Sequence, residues 1–168
     1  MNEKIDNLLR YFICVFAQNE LIGTNFALVL NRKSLNINEH EFKKLVIQFP
    51  KDKTDDNPWV NPVDILIMSI NSIEKIKKQI SLENCNKFTI LWIMCLVSAK
   101  CISSHDHQNK LSIEFLSNLA GLQLSDYIIF EKTLLKKLDW RVDISNTDYK
   151  RLSDVSLGVG LGVGVRVV

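Results

Sequence analysis

Phe88-Thr89-Ile90-Leu91-Trp92-Ile93-Met94-Cys95-Leu96-Val97-Ser98-Ala99 is a run of twelve residues without a formal charge, and Lys100 follows it directly. At a period of 3.6 residues the run has no polar face in any phase. A helix of this kind must be enclosed on every side by other elements. It is well short of the roughly 20 apolar residues that cross a bilayer, so it is expected at the centre of a helical bundle. Lys100 is the only formal charge between Lys87 and Asp106.

Working towards the N-terminus, Asn61 before Pro62 is a helix-start signature, because proline at the first helical position loses no needed hydrogen bond and presets φ. The spacing predicts a helix to about Gln79. Its apolar stripe is Val63, Leu66, Ile67, Ile70 and Ile73, with Glu74, Lys75, Lys77 and Lys78 on the wet side and Glu74 placed for an i,i+4 pair with Lys78. From Pro50 to Asn61 the chain is polar and aperiodic, a loop. Before it, Asn38 with Glu41 has the form of a capping box, and Phe42, Leu45, Val46 and Phe49 share one face. The first segment places Ile5, Leu8, Leu9, Phe12, Ile13 and Phe16 at helical spacing.

Towards the C-terminus, Ser112 is placed to cap a short helix with Ile113, Phe115, Leu116 and Leu119, ended by Gly121, and Ser125 to cap another running from Asp126 to Leu138. In that last helix Tyr127, Ile128, Phe130, Leu134, Leu135 and Leu138 form one apolar sector, and Glu131 falls inside it. A carboxylate there needs a partner, since an unpaired buried charge costs several kcal/mol. Lys100, at the end of the apolar helix, is the natural candidate. Trp140, Val142 and Ile144 then alternate with Arg141 and Asp143 as an extended segment. The tail from Ser156 carries four of the chain's six glycines, too flexible for a core helix, and is expected to be disordered or a stray strand.

The whole chain has 168 residues, 46% of them hydrophobic and 24% charged, which is one domain able to form a core without metals or disulfides. A formal net charge of +2 marks no nucleic-acid or membrane partner. Lys132, Lys136 and Lys137 make a local basic face without the aromatic interleaving of nucleic-acid readers. Cys14, Cys85, Cys95 and Cys101 show no CxxC pairing, and with no export signal the expected compartment is reducing and intracellular, cytoplasm or nucleus.

Three stretches together resemble the cyclin family. The central run ends Leu96-Val97-Ser98-Ala99-Lys100, where the family's box helix typically ends in Ala-Ser-Lys or a similar triplet. Phe130-Glu131-Lys132-Thr133-Leu134-Leu135 is similar to the family's Glu-x-x-(Ile/Leu)-Leu helix, and Leu138-Asp139-Trp140-Arg141-Val142 to the Leu-Asp-Trp or Leu-x-Phe exit that follows. The resemblance covers Glu39 to Lys150 and is strongest from Pro62 onward. Asn109 and Leu119-Ala120-Gly121-Leu122 look most like the single-box group that includes cyclin Y and the P/U-type phosphate-signalling cyclins. Two positions depart from the family: Glu74-Lys75 stands where many members have Asp-Arg, and Ser103-Ser104-His105-Asp106 where Asp-Asp is usual.

The resemblance implies an all-α fold, a five-helix cyclin box over 39–150 around a central apolar helix, with an N-terminal helical extension over 1–38 and a Gly/Val-rich tail over 151–168. It implies a regulatory subunit, not an enzyme, that binds and activates a cyclin-dependent-type protein kinase by docking on the kinase αC helix through Lys100 and Glu131. Ile67, Ile70, Ile102 and Tyr127 are the apolar neighbours expected to complete that surface. No cofactor, metal or catalytic residue is expected. Without the resemblance, the pair reads as an internal salt bridge that only holds two helices together; with it, the interface role leads. Two other readings compete: a cyclin-fold adaptor for a non-kinase protein, and a metal or hydrolytic site at Cys101, His105, Asp106 and His107, whose spacing lacks the two short-spaced pairs of a structural zinc site.

Overall fold

The computed structural model describes residues 2–18, 37–47, 61–76, 87–102, 116–118 and 120–159. These residues are helical apart from turns and short connections, with no strand among them. The helices are α1 (Asn2–Gln18), α2 (Glu39–Val46), α3 (Pro62–Ile76), α4 (Lys87–Ile102), α5 (Leu124–Lys137) and α6 (Asn146–Ser156). No helix among the described residues is long and apolar enough to cross a membrane.

The start signals act as their chemistry requires. The Asn38 side chain accepts a hydrogen bond from the Glu41 backbone N–H at 2.8 Å and caps α2. The Asn61 side chain accepts from Val63 N–H at 2.8 Å as Pro62 opens α3. Each satisfies one of the donors that a helix N-terminus leaves unpaired.

α4 is the central element. Every residue from Phe88 to Ala99 is buried, Ile90 to Leu96 without measurable exposure. It packs against α2, α3 and α5. On its N-terminal half an aromatic group joins three helices: Phe88 lies 6.1 Å from Phe12 of α1 and 5.9 Å from Phe42 of α2, and Phe42 meets Trp92 edge-on at 6.3 Å. Such pairs add about 0.5–1.5 kcal/mol each beyond the area they bury.

α3 departs from the single-stripe expectation. Ile65, Ser69, Asn71, Ser72 and Ile76 are buried as well as the expected stripe. The reason is its position between α4 on one side and α1 and α6 on the other. Close approach to α4 is made by two small residues. Ser69 Oγ donates to Ile65 O at 2.7 Å and lies 3.0 Å from Ser98 Oγ, so both hydroxyls are satisfied inside the core.

The C-terminal third carries the main corrections. Gln123, not Ser125, is the N-cap of α5, and it makes no side-chain capping bond. Gly121 at φ 80° turns the chain, with Leu122 N–H returning to Ser117 O at 2.9 Å, and α5 starts as soon as that turn closes. At its other end Trp140 N–H donates to Leu135 O at 2.7 Å and Asp139 N–H to Lys136 O at 3.1 Å. This is the six-residue Schellman closure, here with Asp139 and Trp140 at φ 56° and 62° where glycine is usual. Val142 and Ile144 then pack on the core as expected, whereas Trp140 is 62% exposed.

α6 replaces most of what the sequence pattern assigns to the end of the box and the start of the tail. It runs through the expected boundary at Lys150 and through residues 151–156. Ser145 Oγ accepts from Asp148 N–H at 3.1 Å, and Leu152 and Val155 are buried. The expected features at Phe26–Leu30, in most of the Pro50–Asn61 loop, at Phe49, Lys77, Lys78 and Cys85, at Ser112–Phe115 and in the tail beyond Val159 lie outside the described residues.

Candidate functional site

Lys100 and Glu131 meet. Lys100 Nζ lies 3.0 Å from Glu131 Oε1 and 3.3 Å from Oε2, joining the end of α4 to the middle of α5. Lys100 comes where the central helix emerges from its wrapping. Every α4 residue from Phe88 to Ala99 is enclosed, and Lys100 and Cys101 are exposed. The two partners are unequal: the Glu131 side chain is 17% exposed and that of Lys100 46%. An ion pair this open contributes at most about 1 kcal/mol to stability.

Beneath the pair is Tyr127, one turn before Glu131 on α5 and 1% exposed. Its hydroxyl makes no hydrogen bond of good geometry. Burial first, and the Glu131 carboxylate second, push the phenol far above its usual range, so it stays protonated. The Cys101 thiol is also raised, by desolvation and then by Glu131, which leaves it a poor nucleophile.

The apolar surface around the pair differs from the expected one. Ile67, Ile70 and Tyr127 are 1%, 0% and 1% exposed, and they fill the core instead of facing outward. α3 is covered on both sides, and Tyr127 points inward with Phe130 and Leu134. Helical spacing identifies an apolar face but not which neighbour lies over it. The side chain of Ile102 lies outside the described residues. Exposed instead are Ile128, one turn before Glu131 on α5 and 44% exposed, and Trp140 at the end of the same helix. Leu124, Ile128, Glu131 and Leu135 fall at i, i+4, i+7 and i+11 and form one stripe along α5, with Leu124 and Leu135 partly buried. The signal for Trp140 was present in the sequence: the strand-like alternation concealed it, but Leu138-Asp139-Trp140 closes a helix.

A second polar cluster, without any sequence signal, ties α1, α3 and α6. Tyr11 donates to Glu74 Oε2 at 3.0 Å, Arg151 Nη1 donates to the Tyr11 oxygen at 2.8 Å, and Arg151 Nη2 lies 3.3 Å from Glu74 Oε1 and 3.4 Å from Asp148 Oδ1. Tyr149 donates to Asp64 at 2.6 Å, and Asn7 Nδ2 to Ser156 O at 3.0 Å. Glu74 therefore serves Tyr11 and Arg151 from the side of α3 expected to be wet. This cluster locks the first and last helices to α3.

Cys95 is fully buried, and its thiol is pushed up to about 12 by burial, as suits a small hydrophobic side chain. His105, Asp106 and His107 lie outside the described residues. Among the described residues no group of three or more His, Cys, Asp or Glu side chains is gathered closely enough to hold a metal ion. Comparison with family models, with curated proteins and with solved structures finds no match to this chain.

Proposed function

We propose that this chain is a cyclin-like regulatory subunit that binds a cyclin-dependent-type protein kinase and activates it by docking on the kinase αC helix. The observation that carries the proposal is the Lys100–Glu131 pair, 3.0 Å apart at the exposed end of an otherwise enclosed central helix. Those two residues lie in two of the three stretches that carry the cyclin resemblance. The all-helical build around α4 is compatible with a cyclin box.

In this mechanism the chain supplies a rigid surface and the kinase supplies the chemistry. Lys100 presents an ammonium to backbone or side-chain acceptors of the αC region. Glu131 accepts from donors on the same segment. Ile128 and Trp140 give the apolar contact, in place of the buried Ile67, Ile70 and Tyr127. Exposed tryptophan is a residue type enriched in binding hot spots, and Trp140 follows the end of the helix that carries Glu131. Seating the αC helix inward completes the kinase's own Lys–Glu pair and orders its activation loop, so phosphoryl transfer stays in the kinase site.

Purified chain mixed with a cyclin-dependent-type kinase is expected to form a complex and raise phosphorylation of a generic substrate. The double variant Lys100→Ala, Glu131→Ala is expected to lose capture at unchanged helical content. Capture of the kinase by the double variant as strong as by the wild type contradicts the site. Failure of the wild-type chain to capture any such kinase favours the adaptor reading, in which the same face holds a non-kinase protein.

A further inference from the structure

We infer that the cleft between the starts of α1 and α3 and the middle of α6 is a binding site for a small zwitterion of the α-amino-acid type, with Lys4 taking its carboxylate and Asp64 its ammonium. This binding is independent of kinase docking, and neither its geometry nor its test involves the Lys100–Glu131 pair.

The cleft has a volume of about 410 Å³ and is walled by three helices, with Lys4 from α1, Val63, Asp64 and Ile67 from α3, and Tyr149 and Ser153 from α6. Small-molecule sites occupy about 300–1,000 Å³. Two unlike charges line this one without meeting. Among the described residues neither Lys4 nor Asp64 is part of an ion pair.

The acidic side is held in place. Tyr149 donates its hydroxyl to Asp64 Oδ1 at 2.6 Å, and that bond first, with burial second, raises the phenol to about 12, so the donor persists at neutral pH. Asp64 Oδ2 is left to accept from an ammonium. Next to it the Asn61 side-chain oxygen accepts from Val63 N–H at 2.8 Å, which leaves the Asn61 amide N–H groups as donors on the cleft wall. The Ser153 hydroxyl can donate or accept. Val63 and Ile67, 9% and 1% exposed, supply apolar wall for a short aliphatic side chain.

Charge selects the ligand. A simple anion drawn to Lys4 also meets the Asp64 carboxylate, and a simple cation drawn to Asp64 also meets Lys4, so each is rejected by the like charge. A molecule with both charges a few bonds apart satisfies both walls. The walls are already joined, by Asn7 to Ser156 between α1 and α6 and by Arg151 to Glu74 between α6 and α3, so little ordering is left for the ligand to impose.

The test is thermal unfolding of the full chain with glycine, L-alanine, L-valine or L-leucine as probe, and with acetate or methylammonium, which carry one charge only. At least one of the amino acids is expected to raise the melting temperature progressively with concentration, as a ligand of the native state does. Isothermal titration with that amino acid is expected to give one site per chain. Asp64→Asn keeps an acceptor for Tyr149 and removes the charge, and Lys4→Met keeps the aliphatic stem and removes the ammonium. Each is expected to weaken binding about tenfold at unchanged helical content, whereas Lys132→Met, which does not line the cleft, is expected to leave it unchanged. No response to any of the four amino acids overturns the inference. So does an equal response to acetate or to methylammonium, or wild-type affinity in either cleft variant. Failure of the chain to capture a kinase removes the proposed function and leaves this result untouched.

Discussion

Lys100 and Glu131 show which features of a single residue a sequence reveals. Each breaks the hydrophobic pattern of its own helix, and two such breaks on neighbouring elements are each other's simplest remedy. The cluster of Tyr11, Glu74 and Arg151 was hidden because its members lie 63, 77 and 140 positions apart and none violates its local pattern. The chain's three tyrosines carry a prediction at this scale. Tyr11 is pushed up from 10.0 to about 12, by burial and then by the Glu74 charge, and Tyr149 to about 12, by its hydrogen bond to Asp64 and then by burial. Tyr127 is raised further still. A phenol raised on folding favours the native state fully below its unfolded value near 10, and that contribution disappears as pH rises through about 12. Stability is therefore expected to fall between pH 10 and about 12. Tyrosinate absorbance followed alongside circular dichroism should show ionisation arriving together with loss of helix. Ionisation of all three tyrosines near pH 10 in a chain that remains helical contradicts these environments.

Helix existence was more legible than helix ends. α2, α3 and α4 begin where Asn38, Asn61-Pro62 and the uncharged run place them, because capping is a matter of two or three adjacent residues. α5 starts earlier than its apparent cap Ser125, since the Gly121 turn determines its entry. α6 was missed although Ser145 and Asp148 have the spacing of a cap and Leu152 and Val155 the spacing of a buried face. The expected boundary at Lys150 cut it in two, leaving residues 151–156 in the Gly/Val-rich tail. Its docking depends on α1 and α3, which the local pattern does not contain. Ser145→Ala is expected to destabilise the protein by about 1 kcal/mol. Hydrogen exchange should place the loss at α6 and at the Asn7–Ser156 contact. Unchanged protection of α6 amides in the variant contradicts the assigned cap.

At the scale of the molecule, twelve uncharged residues impose a core element, and the remaining helices are arranged to cover it. Among the described residues the enclosed run of α4 gives way at Lys100, which meets Glu131 of α5; Ile128 on that helix is exposed, as is Trp140 in the closure after it, at a left-handed φ of 62°. All-helical class and a buried centre followed from the hydrophobic pattern alone. Which apolar residues would be left exposed did not, because exposure depends on how every neighbour packs. In the proposed function the pair faces a kinase and is more than a bridge between α4 and α5. Exchanging its charges, Lys100→Glu with Glu131→Lys, separates the two roles. The exchanged chain keeps an internal ion pair and is expected to match the wild type in thermal stability. Measured by titration against a cyclin-dependent-type kinase, it is expected to lose binding, because the partner now meets the opposite polarity. Binding of the exchanged chain with wild-type affinity contradicts the account.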